Sequence, residues 1–111
     1  MSLALRCASE LRTLGFAAIL AGYVGVGTPI GHAARQIYIQ NFTDADLMFS
    51  LNGVDDAFPI AANSFFLSDI TANKTLSQGF FLPVGQRLYV KQLEVPTKKS
   101  VYFTIFYGTT A

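Results

Sequence analysis

The sequence predicts an all-β protein: an antiparallel β-sandwich, jelly-roll-like, of about seven to eight strands, with an extended, partly helical N-terminal arm. Three observations carry that expectation. Apolar and polar residues alternate with period two over short runs, and turn residues punctuate the runs every eight to twelve positions. Ten Phe and five Tyr, with no Trp, give 14% aromatic content, the kind of side chain that fits a pleated surface. Between the runs no stretch has the length and period of a crossover helix, which excludes parallel units.

Charge position divides the 111 residues into an apolar arm over 1–34 and a β-sandwich domain over 35–111. Thr13–Ala34 holds no Asp, Glu, Lys or Arg. Before it, Leu3, Cys7, Leu11 and Leu14 recur at helical spacing, so Ser2–Leu14 is predicted as a short helix. Phe16 to about Val26 is predicted to be extended, because Val24-Gly25-Val26-Gly27 alternates with period two. The uncharged stretch also reaches the length of a membrane span, and Arg6 and Arg12 before it with Gly31-His32-Ala33 near its end mimic a secretory signal. Five glycines, Pro29, His32 and Tyr23 within it argue against both, and only Gly15–Ala21 is densely apolar. So little charge implies an arm that lies on its own domain or on a neighbour.

From Arg35 onward the elements follow in order. Arg35–Phe42 alternates, with Ile37 and Ile39 on one face and Tyr38 on the other, and Thr43-Asp44-Ala45-Asp46 is turn chemistry. Leu47–Leu51 alternates again, with Leu47, Phe49 and Leu51 inward, and Asn52-Gly53 predicts a type I′ hairpin. Ala57–Ile60 and Ser64–Ile70 are two further strands around Ala61-Ala62-Asn63, and Thr71–Gly79 is a polar loop. Phe80-Phe81-Leu82 is a brief strand before the turn Pro83-Val84-Gly85-Gln86. Arg87–Leu93 places Leu88 and Val90 on one face against Tyr89 and Lys91. Val95–Lys99 is a loop, and Val101–Tyr107 is the clearest strand.

Composition narrows the function. Charged residues make up 14%, against about 25% in an average soluble domain. Eight Lys plus Arg against seven Asp plus Glu leave no basic face to neutralise phosphates, so no nucleic-acid partner is expected. The apolar surplus must be buried against protein or lipid. One cysteine, Cys7, excludes an internal disulfide framework. Cys7 and the single histidine, His32, do not make a soft metal-ligand set, and no nucleophile elbow accompanies His32. No catalytic residue, cofactor or metal is therefore expected. Asp44, Asp46, Asp55 and Asp56 have the oxygens for a calcium ion, but aspartates in strand turns are expected to cap backbone N–H groups. Asp69 is expected to cap a turn with Asn73. Asn41-Phe42-Thr43 and Asn73-Lys74-Thr75 match the glycosylation acceptor, a pattern common by chance.

A sandwich whose outer faces meet water carries polar residues outward. Here Tyr38, Met48, Phe66, Tyr89, Tyr102 and Phe106 are predicted on the second strand face. Either the arm covers that face or other subunits do. Together with Leu11, Phe16, Ile19 and Tyr23 of the arm, these six form the candidate assembly interface.

The order of elements resembles small all-β virion structural proteins of tailed bacteriophages, of the capsid decoration, head-tail or tail component type. The resemblance lies in F-A-A-I-L-A-G-Y-V-G-V-G-T-P-I (16–30), R-Q-I-Y-I-Q-N-F-T-D-A-D (35–46), S-L-N-G-V-D-D (50–56), L-S-D-I-T-A-N-K (67–74), L-P-V-G-Q-R-L-Y-V-K-Q (82–92) and V-P-T-K-K-S-V-Y-F-T-I-F-Y-G (95–108). It covers nearly all the chain beyond residue 15 and contains no catalytic motif; Lys98-Lys99 departs from it where a small residue is expected. The resemblance implies a non-enzymatic, multi-copy subunit resident in the virion, partnered by capsid, connector or tail proteins and by its own copies, with no membrane. It also implies that 16–30 is mature structure. The alternative is a carbohydrate-binding sandwich of a tail or a secreted lectin-like protein, with Tyr, Asp and Asn side chains meeting the sugar.

Overall fold

A computed structural model describes residues 3–69 and 84–110. Among them the chain forms nine strands and one 3-10 turn, arranged as two antiparallel sheets. In the first sheet β9 (Ser100–Thr110) is flanked on one side by β1 (Leu3–Cys7) and β2 (Arg12–Gly15), and on the other by β4 (Ala34–Asn41), with β7 (Ser64–Asp69) beyond β4. The second sheet runs β3 (Val24–Gly25), β8 (Tyr89–Gln92), β5 (Leu47–Ser50), β6 (Phe58–Ile60).

The inward faces share one core. Ile37, Ile39, Val101, Phe103 and Ile105 of the first sheet meet Leu47, Phe49, Ile60 and Val90 of the second. Each fully buried residue of this size contributes roughly 1.5–3 kcal/mol by leaving water. The expected strands at Arg35–Phe42, Leu47–Leu51, Ala57–Ile60, Ser64–Ile70, Arg87–Leu93 and Val101–Tyr107 all form, with ends trimmed or extended by a few residues. The expected Phe80–Leu82 strand, the Thr71–Gly79 loop and the Asp69–Asn73 cap lie outside the described residues, as does Pro83 at the start of the last predicted turn.

The N-terminal helix is corrected. Residues 3–7 and 12–15 are strands, and the only helical turn nearby is the 3-10 turn Phe16–Ala18. A helix of this length is marginal in water, whereas β9 offers eleven residues of pairing. β1 takes its C-terminal half, from Leu3↔Thr110 to Cys7↔Phe106, and β2 takes Phe103 back to Ser100. The segment then reaches the second sheet as β3 and sends Ile19, Val26 and Ile30 into the common core. Among the described residues no helix is long and apolar enough to cross a membrane.

The Asn52-Gly53 hairpin is also corrected. A type I′ turn requires positive φ at both central residues, and here only Gly53 has it, at 77°. β5 and β6 are joined instead by residues 51–57. Ser50 Oγ accepts the N–H of Asn52 and Gly53, and Asn52 Oδ1 accepts those of Val54 and Asp55. The positive φ favours glycine at 53, and a Cβ there would also stand 3.2 Å from the Tyr89 ring, which would have to give by a few tenths of an ångström.

Chain crossings between the sheets are tied together at one end. Asn41 closes β4 fully buried, and its Nδ2 donates to the carbonyls of Ala45 (2.9 Å), Ile60 (3.1 Å) and Ala61 (3.2 Å). Its Oδ1 accepts from Thr43 N (3.0 Å) and Thr43 Oγ1 (2.5 Å). Of the four turn aspartates, Asp55 accepts from the Asn52 side chain and Asp56 from those of Tyr23 and Lys91, while two cap backbone as expected: Asp44 accepts from the N–H and hydroxyl of Thr97, and Asp46 accepts from Ala62 N at 2.9 Å. These two hydrogen bonds from Thr97, followed by the nearby charge of Lys98, hold the Asp44 carboxyl below the usual carboxylate range.

Candidate functional site

Register places side chains of the first sheet's outer face in three rows. Phe65, Gln40, Tyr102 and Thr13 lie side by side, then Leu67, Tyr38 and Thr104, then Gln36, Phe106 and Cys7. Residues directly opposite in an antiparallel ladder share a face, and the opposite face holds the buried Ile37, Ile39, Val101 and Phe103. Phe65 is 63% exposed and Leu67 59%. Tyr38 meets Phe65 edge to face at 5.7 Å between centroids, and Phe42, itself exposed, meets Tyr102 in the same way at 5.3 Å. None of these side chains is charged. Asp69 occupies a corner position, opposite Gln36 at the end of β7. The N-terminal segment widens this sheet along β9 instead of covering the face.

The outer face of the second sheet is different material. Tyr23 Oη donates to Asp56 Oδ1 at 2.5 Å, and Lys91 Nζ reaches the same oxygen at 2.9 Å while standing 4.8 Å from the centre of the Tyr23 ring. Arg87 lies 5.7 Å from the Tyr89 ring and donates through Nε to the Gly27 carbonyl at 2.8 Å. Met48 sits between Pro59 and Lys91. Here the charges are paired or hydrogen-bonded.

Burial, the hydrogen bond to Asp56 and the charges of Asp56 and Asp55 push the Tyr23 hydroxyl up to about 12, from a usual value of about 10. The same hydrogen bond, with that from Lys91, holds the Asp56 carboxyl below its usual range. For a tyrosine with a raised folded value, the native state binds its proton more tightly than the unfolded state does. The stabilisation is complete below pH ~10 and is lost as pH rises towards about 12. For Asp56 the sign is opposite: stabilisation is present above the unfolded value, and is lost as pH falls through the lowered folded one. In an ultraviolet titration of tyrosinate, Tyr23 is expected to contribute a component near pH 12. Tyr23→Phe removes that component; its survival in the variant would reassign it.

A cleft of about 260 Å³ lies beside the first sheet, where the β1–β2 connection meets the loop before β4. Cys7, Glu10, Arg12, Pro29, His32 and Tyr107 line it. Its polar groups are engaged within the chain: His32 lies flat on Tyr107 at 3.8 Å, and Cys7 Sγ points to the Ala8 carbonyl at 3.5 Å. Arg12 donates to the carbonyls of Thr28 and Pro29 at 2.7 and 3.1 Å. No three His, Cys, Asp or Glu side chains among the described residues converge on a metal-sized site.

The ten candidate interface residues divide among these surfaces. Tyr38, Tyr102 and Phe106 share the first sheet's outer face, and Leu11 is exposed just before β2. Met48, Tyr89 and Tyr23 belong to the second sheet's outer side. Phe16 is exposed at the 3-10 turn, whereas Ile19 is buried in the chain's own core. Phe66 is corrected: it pairs with Ile39, faces inward and stacks on Phe58 at 4.7 Å. Its neighbours Phe65 and Leu67, which the strand-face assignment left out, take the outward positions.

No family model, curated protein or solved structure matches the chain.

Proposed function

We propose that this protein is a non-enzymatic structural protein of a tailed-bacteriophage virion, a multi-copy subunit that decorates or cements the capsid or joins head to tail. The carrying observation is the uncharged aromatic face of Phe65, Leu67, Tyr38, Tyr102 and Phe106. Contiguous exposed apolar patches on soluble proteins mark interaction surfaces. Fold supports the same reading. With β1 and β2 acting as one strand, the sheets run 1/2-9-4-7 and 3-8-5-6, the order that two interlocked Greek keys give in a jelly-roll sandwich. Capsid proteins and lectins both use that architecture, so fold alone does not choose between them. The uncharged face favours protein contact, because a sugar site needs convergent hydrogen-bonding groups.

Quantitative mass spectrometry of gradient-purified particles tests the reading. Peptides of this chain are expected at a fixed multiple of the portal protein. Their absence from particles, with the protein present in the lysate, overturns it. The second reading, a carbohydrate-binding module of a tail or a lectin-like protein, draws on Tyr23, Tyr89, Arg87 and Asp56 on the other outer face. A glycan array with hits that disappear on Tyr89→Ala would favour it.

A further inference from the structure

We infer that two copies of this chain pack against each other through the outer face of the five-stranded sheet, each presenting the same surface. The inference rests on the reading of that face as an assembly surface and names its first occupant, a second copy.

Charge is the first argument. In a contact with two-fold symmetry a patch meets itself, so any net charge on it opposes its own copy. The rows led by Phe65 and Leu67 hold only neutral side chains, and charge enters only at the sheet's corner, where Asp69 is opposite Gln36 and Arg35 is the adjoining bulge residue, whereas the other outer face carries Arg87, Lys91 and Asp56. The polar members, Gln40, Thr13 and Thr104, carry both donors and acceptors and so can satisfy copies of themselves. A partner of strong charge would gain nothing from these rows.

Area is the second argument. β4 has eight residues at ~3.3 Å each, and four strands lie ~4.8 Å apart, giving a face of about 500 Å². Two such faces bury about 1,000 Å², the lower bound for a specific interface. Phe42 and Leu11 add exposed apolar surface at the rim. Tyr38 stands on the middle row and on an inner strand, with Phe65 against its edge. Such a packed aromatic pair near the centre is where interfaces concentrate their energy.

The test uses the full chain in light scattering after size exclusion and in sedimentation equilibrium. Wild type is expected at twice 12.1 kDa at micromolar concentration. Tyr38→Lys and Tyr38→Glu alone are expected at the monomer mass, with thermal midpoints within a few degrees of each other. Mixed in equal amounts, they are expected to restore the doubled mass, because a residue near the two-fold axis faces its own copy. Leu67→Lys is a second disrupting variant, and Met48→Lys on the other sheet is expected to leave the dimer intact. A wild-type monomer at 100 μM, or a dimer that survives both Tyr38 variants, overturns the inference. A wild-type monomer that is nevertheless present in purified particles also overturns it, leaving the virion reading standing and giving the face to a different protein. A dimer absent from particles sinks the virion reading and leaves this one.

Discussion

Replacing Asn41 is expected to cost more stability than any other single polar change among the described residues. Its amide donates to carbonyls of the 41–46 crossing and of β6 and its exit, while its carbonyl oxygen holds Thr43. Asn41→Ala strips all of these at once inside a site with no exposure. Each orphaned buried group costs about 1–3 kcal/mol, and the sum, which is not additive, is about 3–5 kcal/mol. Domains of this size have about 5–15 kcal/mol in all. With a urea slope of about 1–3 kcal/mol per molar, the unfolding midpoint drops by roughly 2 M. Asn41→Asp is expected to be at least as damaging at pH 7, since a carboxylate would face three carbonyl oxygens. Burial among acceptors raises a carboxyl's pKa, so the Asp variant regains stability as pH falls and the Ala variant does not. Equal pH profiles for the two would refute the role given to the amide. The same geometry settles the Asn41-Phe42-Thr43 triplet: in the folded chain its amide nitrogen is buried and used, and no glycan fits there.

Much of the fold was legible because β4, β5, β8 and β9 each alternate over four residues or more, with Ile, Val, Leu or Phe inward. The two failures at the N-terminus and in the β5–β6 loop have different causes. β1 and β2 are strands because an edge of β9 lies waiting 85 to 107 residues away, and local spacing carries no information about that partner. Asn52-Gly53 carries a real hairpin signal, but Ser50 and Asn52 side chains cap a longer loop and outcompete the two-residue turn.

The candidate surface was half legible for a related reason. Period two separates inward from outward, and Tyr38, Met48, Tyr89, Tyr102 and Phe106 were all placed outward. It does not say which sheet a strand joins, and the outer faces of two packed sheets point away from each other. Consecutive Phe65 and Phe66 also leave the phase of β7 undetermined, and a one-residue slip exchanges the two faces of a strand. Pairing Phe66 with Ile39 decides it and brings Phe65 and Leu67 onto the aromatic face.

Arg12 is expected to obey an ordering that charge conservation does not give. On β2 it lies opposite Phe103 and is 5% exposed, with its Nε, Nη1 and Nη2 donating to the carbonyls of Thr28, Glu10 and Pro29. Its carboxylate neighbour Glu10 is 3.9 Å away and largely in solvent, so the carbonyls and not the ion pair fix its position. Gly27, at φ 66°, leaves the gap into which the Arg12 stem fits, since a Cβ there would come within 2.9 Å of it. Arg12→Met keeps most of the volume and removes the donors, at a cost of about 2–3 kcal/mol. Arg12→Lys keeps the charge, but one ammonium does not reproduce a planar fork spread over three carbonyls, and a poorly paired buried charge costs more than none. Lys is therefore expected to be no better than Met, and lower in thermal midpoint if the carbonyls stay in place. Hydrogen exchange localises the damage. The amides of Val26 and Ile30, bonded to Leu88 and Gln86, should lose protection in both variants, while the β4–β9 ladder keeps its own. A Lys variant as stable as wild type would mean that positive charge alone, without the three directed hydrogen bonds, holds this loop against the first sheet.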